Sequence, residues 1–237
     1  MKKTLSICLL IAGFTLNATA QYIDGTAATK ASQESFTQSM EDWDGVRIAI
    51  ERNAYHLPDI EIPGGDTYEN ITISTSIAMS YLHGFALNKK KPIFLETGFG
   101  IKWGMYDIKS DEEIYQYTGV TRERLNLFTF EIPASIGYRF DTKKPDWKIY
   151  TYTGLYLRMH ITGKLEAQDR SGYTAEANVF DKDEFYPTFE RFQCGWQLGC
   201  DFQCNQFVFG LSYGVDLNKI WVDTRTFTSS LNFGYRF

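Results

Sequence analysis

The sequence predicts an all-β fold, an eight-stranded antiparallel up-and-down transmembrane β-barrel. Three observations carry this reading. Apolar and polar residues alternate with period 2 through most of residues 43–237, the connections between the alternating segments are long and short in turn, and the last segment sets an aromatic row on one face that ends at Phe237. Strict alternation marks strands with one apolar face, and an even number of such strands suits a closed single-chain barrel of the bacterial type.

The first segment, "GVRIAIER", is weak and rests on Val46, Ile48 and Ile50. The second is clear: in "ITISTSIAMSY", Ile71, Ile73, Ile77, Met79 and Tyr81 oppose Thr72, Ser74, Ser76 and Ser80. In "PIFLETGFGIKWGMY", Leu95, Phe99, Ile101, Trp103 and Met105 oppose Glu96, Gly98, Gly100, Lys102 and Gly104. "NLFTFEIPASIGYRF" sets Phe128, Phe130, Ile132, Ile136, Tyr138 and Phe140 against Thr129, Glu131, Ser135 and Arg139. "KIYTYTGLYLRMHIT" sets Leu155, Leu157, Met159 and Ile161 against Tyr150, Tyr152, Tyr156, Arg158 and His160. The next strand puts Phe192, Cys194, Trp196, Leu198, Cys200, Phe202 and Cys204 on one face, with Gln193 and Asp201 opposite. "FVFGLSYGVDL" opposes Phe207, Phe209, Leu211 and Tyr213 to Gly210, Ser212 and Asp216, and the final strand opposes Leu231, Phe233, Tyr235 and Phe237 to Asn232 and Arg236.

The connections fall near 54–69, 83–91, 107–123, 141–147, 163–190, 204–206 and 218–225. Long and short alternate, which gathers long loops at one end and tight turns at the other, as in outer-membrane barrels with short periplasmic turns. A soluble ligand-binding barrel would put its apolar face inside. Here the polar face carries Glu96, Lys102, Glu131, Arg139, Arg158, Asp201, Asp216 and Arg236 among Gly, Ser and Thr, a composition that fits a narrow ion-paired lumen. The large apolar face is then left for lipid, and strands of about 11 to 16 residues suffice to cross a bilayer at a tilt. Pro133 cannot donate a ladder bond, so a bulge or a missing bond is expected there.

Residues 1–20 read as a signal peptide, with Lys2 and Lys3 before an apolar run and Ala18-Thr19-Ala20 at the cleavage site. Residues 21–42 are small and polar and read as a flexible periplasmic leader, and residues 43–237 as the barrel. The formal net charge is −5 and becomes more negative once the signal is removed, which disfavours a nucleic-acid partner. Cys194, Cys200 and Cys204 share one strand face and lie out of disulfide reach of one another where they are six apart, so they are read as small apolar surface residues.

The chain resembles the eight-stranded outer-membrane β-barrel domain proteins of Gram-negative bacteria, especially the PorT-like group common in Bacteroidetes. The matching stretches are "FLETGFG", "EIPASIGYRF", "NVFDKDEF" with "RFQCGWQLG", "FGLSYGVDL" and "SLNFGYRF", within residues 43–237. The resemblance implies insertion by the outer-membrane barrel assembly machinery, with Phe233, Tyr235 and Phe237 as the assembly signal, and it implies no common enzymatic activity.

Candidate chemistry is sparse. Gly98, Gly100 and Gly104 lie inside a strand rather than at a strand-to-helix turn, so they read as space-making residues and not as a phosphate loop. Asp181, Asp183 and Glu184 could gather a calcium ion, but without an EF-hand spacing a solvated acidic loop is the better reading. Acids exceed bases in 163–190, whereas the short connections carry Lys89, Lys90, Lys91, Lys143 and Lys144, a polarity that could orient the barrel or bridge lipopolysaccharide through cations. His56, His83 and His160 fall on separate segments with no sequence-readable nucleophile beside them. The expectation is an integral outer-membrane protein without catalysis or cofactor, structural, adhesive or assembly-related, in contact with outer-membrane lipids and lipopolysaccharide. The competing readings are a lipid-modifying enzyme centred on His160, a small-solute pore, and a soluble ligand-binding barrel.

Overall fold

The computed structural model describes residues 40–56, 60–61, 67–68, 71–88, 91–109, 119–142, 144, 146–185, 187–221 and 224–237. The signal, the leader up to residue 39, and Lys89, Lys90 and Lys143 lie outside them. Among the described residues there are eleven strands: β1 (Trp43–His56), β2 (Ile60–Glu61), β3 (Thr67–Tyr68), β4 (Ile71–Ala86), β5 (Ile93–Lys109), β6 (Val120–Asp141), β7 (Trp147–Asp169), β8 (Thr174–Asn178), β9 (Phe192–Cys204), β10 (Phe207–Asp216) and β11 (Arg225–Arg236). The order β6-β5-β4-β1-β11-β10-β9-β7 is closed by pairing of β6 with β7, so eight antiparallel strands form a ring. β8 adds outside the ring on the far end of β7, and β2 with β3 makes a separate small hairpin.

Both ends of the ring sit at the pole of the short turns. Gly45 pairs with Arg236, and the Phe237 N–H donates to the Asp44 carbonyl at 2.9 Å. The two-residue connection between β9 and β10 turns at Asn205, which takes a positive φ of 55°, a conformation Asn tolerates. At the opposite pole the strands run on past the barrel wall. β6 and β7 have 22 and 23 residues, longer than the expected 11 to 16, and much of the expected 163–190 loop is the end of β7 and the strand β8. The outward residues turn polar there, at Lys164, Glu166 and Gln168, while Leu165 on the other face packs against the buried Leu125 and Leu127. The phase also changes: the β6–β7 register shifts between Phe128 and Thr129, so that Thr129 faces His160 while Phe128 faces Thr162. Ile161 is the extra residue, a bulge on β7, so β7 passes from inward His160 to inward Gly163 while β6 keeps Leu125, Leu127 and Thr129 on its inward face.

Pro133 produces the missing bond and no shift. Across β5 and β6, Thr97 pairs with Ala134 and Gly100 with Glu131 in one register, while the two positions between are unpaired. The Thr97 hydroxyl donates to the Pro133 carbonyl at 2.8 Å.

The wall faces outward with its apolar residues. Phe128, Trp103, Ile77, Ile50, Leu231, Leu211 and Cys200 are consecutive cross-strand partners across seven of the eight strands of the ring. Five of the seven are large side chains on β1, β4, β5, β10 and β11 that remain between 45% and 59% exposed. A soluble monomer rarely leaves apolar patches of more than a few hundred Å² open to water; hydrocarbon removes the conflict. The cysteines belong to this belt, and all three are free thiols. Leu231 sits in the middle of the belt, so Leu231→Arg is expected to destabilise the barrel by about 2–4 kcal/mol, read from urea unfolding in lipid vesicles; Thr226→Arg, outside the belt in position but inward, is a poor control, whereas Arg225→Lys should change little.

Candidate functional site

Every inward residue projects into a narrow space, so charges that enter it have to be paired. All eight polar residues singled out by the alternation point inward: Glu96, Lys102, Arg139, Arg158, Asp201, Asp216 and Arg236 are buried, and Glu131 is one-fifth exposed. The structure brings seven of them into two layers and leaves Arg139 at the short-turn mouth, where its Nε lies 2.8 Å from Asp141 Oδ1.

The first layer centres on Arg47. Its guanidinium donates to Asp201 Oδ2 at 2.8 Å and lies 3.3 Å from Glu96 Oε1, and Arg236 approaches the same two carboxylates at 3.8 and 3.9 Å. Arg236 is sandwiched between the rings of Trp43 and Tyr150, each 3.8 Å from its guanidinium carbon, and donates to Gln203 Oε1 at 3.0 Å. Planar stacking of this kind suits arginine and not lysine. Gly210 makes room for Asp201: a Cβ there would stand 1.9 Å from Oδ1.

The second layer holds Glu51, Lys102, Glu131, Arg158 and Asp216. Lys102 is ion-paired with Glu51 and donates to Asn53 Oδ1 at 2.9 Å; Ser76 donates to Glu51 at 3.1 Å and Thr228 to Asn53 at 3.0 Å. Arg158 bridges Glu131 and Asp216, the latter at 3.2 Å, and its guanidinium lies over the Tyr156 ring at 3.9 Å. Tyr156 donates to Asp216 at 2.6 Å. Between the layers a cavity of about 60 Å³ is lined by Arg47, Glu51, Lys102, Glu131, Tyr152 and Arg158 among others. Arg47 and Glu51 are the residues that the sequence reading passed over. They stand opposite Val46, Ile48 and Ile50 in the weak first segment, and the same alternation that placed the others inward places them there too.

Apolar clusters cover both ends of this polar column. At the short-turn pole Met40, Phe94, Tyr150 and Tyr152 are buried together with Trp43 and Ala86 against them. Met40, within the expected leader, is 2% exposed and packs in this cluster. At the other pole Tyr106, Leu125, Leu127, Val179 and Ile220 are buried beneath Phe180, Phe185, Phe189 and Trp221. Phe189 stacks on Trp221 at 5.7 Å, the Glu190 N–H donates to the Ile220 carbonyl at 2.7 Å, and Trp221 Nε1 donates to the Pro187 carbonyl at 2.6 Å. Residues 179–185 and 187–191 are thereby folded across the mouth.

His160 lies just below this cover. Its Nδ1 is 2.8 Å from Thr129 Oγ1, its Nε2 is 2.9 Å from Gln193 Oε1, and its ring stacks on Phe180 at 6.0 Å. His83 is on the outer wall at the short-turn end, 2.7 Å from Asp44 Oδ1, and His56 ends β1. Asp181 and Glu184 are used by the chain itself: Asp181 Oδ1 accepts from the Asp183 N–H at 3.0 Å and Glu184 Oε2 from the Asn178 N–H at 2.7 Å. Among the described residues no three His, Cys, Asp or Glu side chains gather as a metal site. Phe233, Tyr235 and Phe237 face outward at 41%, 36% and 64% exposure; Tyr235 donates to Gln206 at 2.6 Å, and Phe207 packs edge-on against it at 5.6 Å.

Two substitutions probe the column. Arg158→Met leaves Glu131 and Asp216 without their cation, and is expected to cost about 3–5 kcal/mol as a lowered urea midpoint. Gly195→Ala would set a Cβ 2.0 Å from Tyr156 Cζ; displacing that ring from Asp216 is expected to cost about 1–3 kcal/mol in the same measurement.

No family model matches the chain, and no curated protein matches it in sequence. Among solved structures it is similar to Ail, the attachment invasion locus protein of Yersinia pestis, in complex with the heparin analogue sucrose octasulfate, at 13% identity and a TM-score of 0.42 over 84% of this chain and 100% of that one. Neisserial surface protein A is similar at 13% identity and a TM-score of 0.40, over 83% and 98% of the two chains. The translocator domain of the autotransporter NalP from Neisseria meningitidis is similar at 11% identity and a TM-score of 0.38, over 99% and 98%. These structural neighbours are outer-membrane β-barrel proteins.

Proposed function

We propose that this chain is an integral outer-membrane protein whose barrel is a closed scaffold and whose working surface is the long-strand pole, facing outside, in an adhesive or assembly role. The observation that carries the reading is the pairing of an apolar outer wall with an ion-paired lumen covered at both ends. A wall of this kind calls for lipid around it, and a covered lumen leaves no continuous water path. In a PorT-like barrel of this orientation the outer wall meets phospholipid and lipopolysaccharide, and Phe233, Tyr235 and Phe237 serve the barrel assembly machinery.

A catalytic role centred on His160 finds little support. Both ring nitrogens are engaged, Thr129 and His160 are 2% and 5% exposed, and Phe180 covers the ring, so a lipid ester has no approach to it.

Outer-membrane fractionation with and without boiling before electrophoresis tests the location and the fold. The protein is expected in the outer-membrane fraction and to shift mobility on heating; recovery in the periplasmic soluble fraction would instead favour a ligand-binding barrel. In planar bilayers the purified protein is expected to show no conductance, and stepwise currents would restore the pore reading.

A further inference from the structure

The sheet that rises beyond the barrel ends at β8, which pairs with β7 and, among the described residues, with no other strand. The direction of each β8 backbone group follows from the ladder. The Asp169 N–H donates to the Tyr173 carbonyl and the Val179 N–H to the Gly163 carbonyl, and between them Gln168, Glu166 and Lys164 face Thr174, Glu176 and Asn178. Bonded and non-bonded pairs alternate in an antiparallel ladder. Tyr173, Ala175, Ala177 and Val179 therefore turn their N–H and C=O groups toward β7, and Thr174, Glu176 and Asn178 turn theirs away.

Asn178 is satisfied by the chain itself. Glu184 Oε2 accepts from its N–H at 2.7 Å, and its carbonyl accepts from the Asp181 N–H at 3.0 Å. Thr174 and Glu176 have no such partners among the described residues, so two donors and two acceptors stand open along the edge. The usual protections of an edge strand are a proline, a lysine or a bulge. "TAEAN" has none of these, and its residues are exposed apart from a half-buried Ala177. The turn that caps Asn178 stands at one end of the open stretch with exposed Asp183 and Glu184, and the Glu176 carboxylate, more than half exposed, is paired with Lys164 of β7 at 2.8 Å.

We propose that the open edge of β8 receives an extended, cationic polypeptide segment of a partner protein, which adds as a further strand. The backbones of Thr174 and Glu176 supply the pairing, and Asp183 and Glu184, together with the Glu176 carboxylate that Lys164 shares, select Lys or Arg side chains in the incoming strand. A second copy of this chain fits poorly, because it would set the same carboxylates against one another. The proposal rests on the outward orientation of the long-strand pole, and it names the chemistry of the partner that this pole takes.

The test uses the full mature chain in lipid nanodiscs, a labelled decapeptide of alternating Lys and Val, and the same peptide N-methylated at alternate residues. The unmodified peptide is expected to bind at least about tenfold more tightly than the methylated one, a difference of the size of one or two net hydrogen bonds. Glu176→Pro removes a donor that points away from β7, so the barrel is expected to keep its heat-dependent mobility shift while losing about tenfold in peptide affinity. Thr174→Pro removes the other open donor and gives the same loss should the first variant fold poorly. Glu176→Gln keeps the N–H and is expected to weaken binding only severalfold, with a smaller salt dependence. Equal binding of the two peptides would reduce the contact to charge alone and overturn the proposal, as would no binding by protein that shows the mobility shift. Wild-type dimers that Glu176→Pro abolishes would assign the edge to a second copy and overturn it too. Absence of the mobility shift in the wild type would count against the barrel reading itself.

Discussion

Every backbone donor and acceptor that enters hydrocarbon has to find a partner within the protein, and in this chain the ring of eight strands supplies those partners. Closure fixes the rest. Once the ring is shut, alternate residues have only two places to go, a lipid-facing wall with ample room and a lumen with very little. Ionic side chains can enter the lumen only as neutralised groups, which is why Arg47 serves Glu96 and Asp201, and Arg158 serves Glu131 and Asp216. Inward glycines then follow from the crowding that these groups and the tyrosines create: Gly195 and Gly199 lie against the rings of Tyr156 and Tyr152.

The outer and inner faces were legible in the sequence wherever the chain crosses lipid, because two solvents of opposite character act on successive residues. Even Tyr150, Tyr152 and Tyr156 took their inward places by alternation alone, although bulky rings are unusual fillers for a narrow lumen. Legibility ended where lipid ends. Beyond about Thr162 the outward residues are Lys164, Glu166 and Gln168 in place of apolar ones, so the strand they form looked like loop although Leu165 still packs against the inner cluster. The bulge opposite Phe128 and Thr129 shifted the phase as well, and a shift of that kind has no compositional mark.

The candidate site was readable in part for a similar reason. The lumen ions stood out because they interrupt strongly apolar strands, whereas Arg47 and Glu51 sit in a short segment already rich in charge. The covers at both poles were not readable at all. Met40, Phe94 and Tyr150 meet through folding of distant segments, as do Val179, Phe189 and Trp221, and no local pattern announces such meetings. The open backbone of β8 is a further step removed, since it depends on which partner each residue has in the ladder and hardly on what the residues are.

The pairing of β1 with β11 carries a consequence in time. Ala49 meets Asn232 and Gly45 meets Arg236, so the contact that completes the ring joins the first and last strands of the sheet. Until β11 has been delivered, β1 on one side and β10 on the other are exposed strand borders, and contacts between remote segments form slowly because the intervening chain has to be ordered first. A half-built sheet with an apolar face would be prone to pair with whatever strand it meets. The arrangement therefore leaves two borders open for as long as the sheet is incomplete, and closes both with a single event.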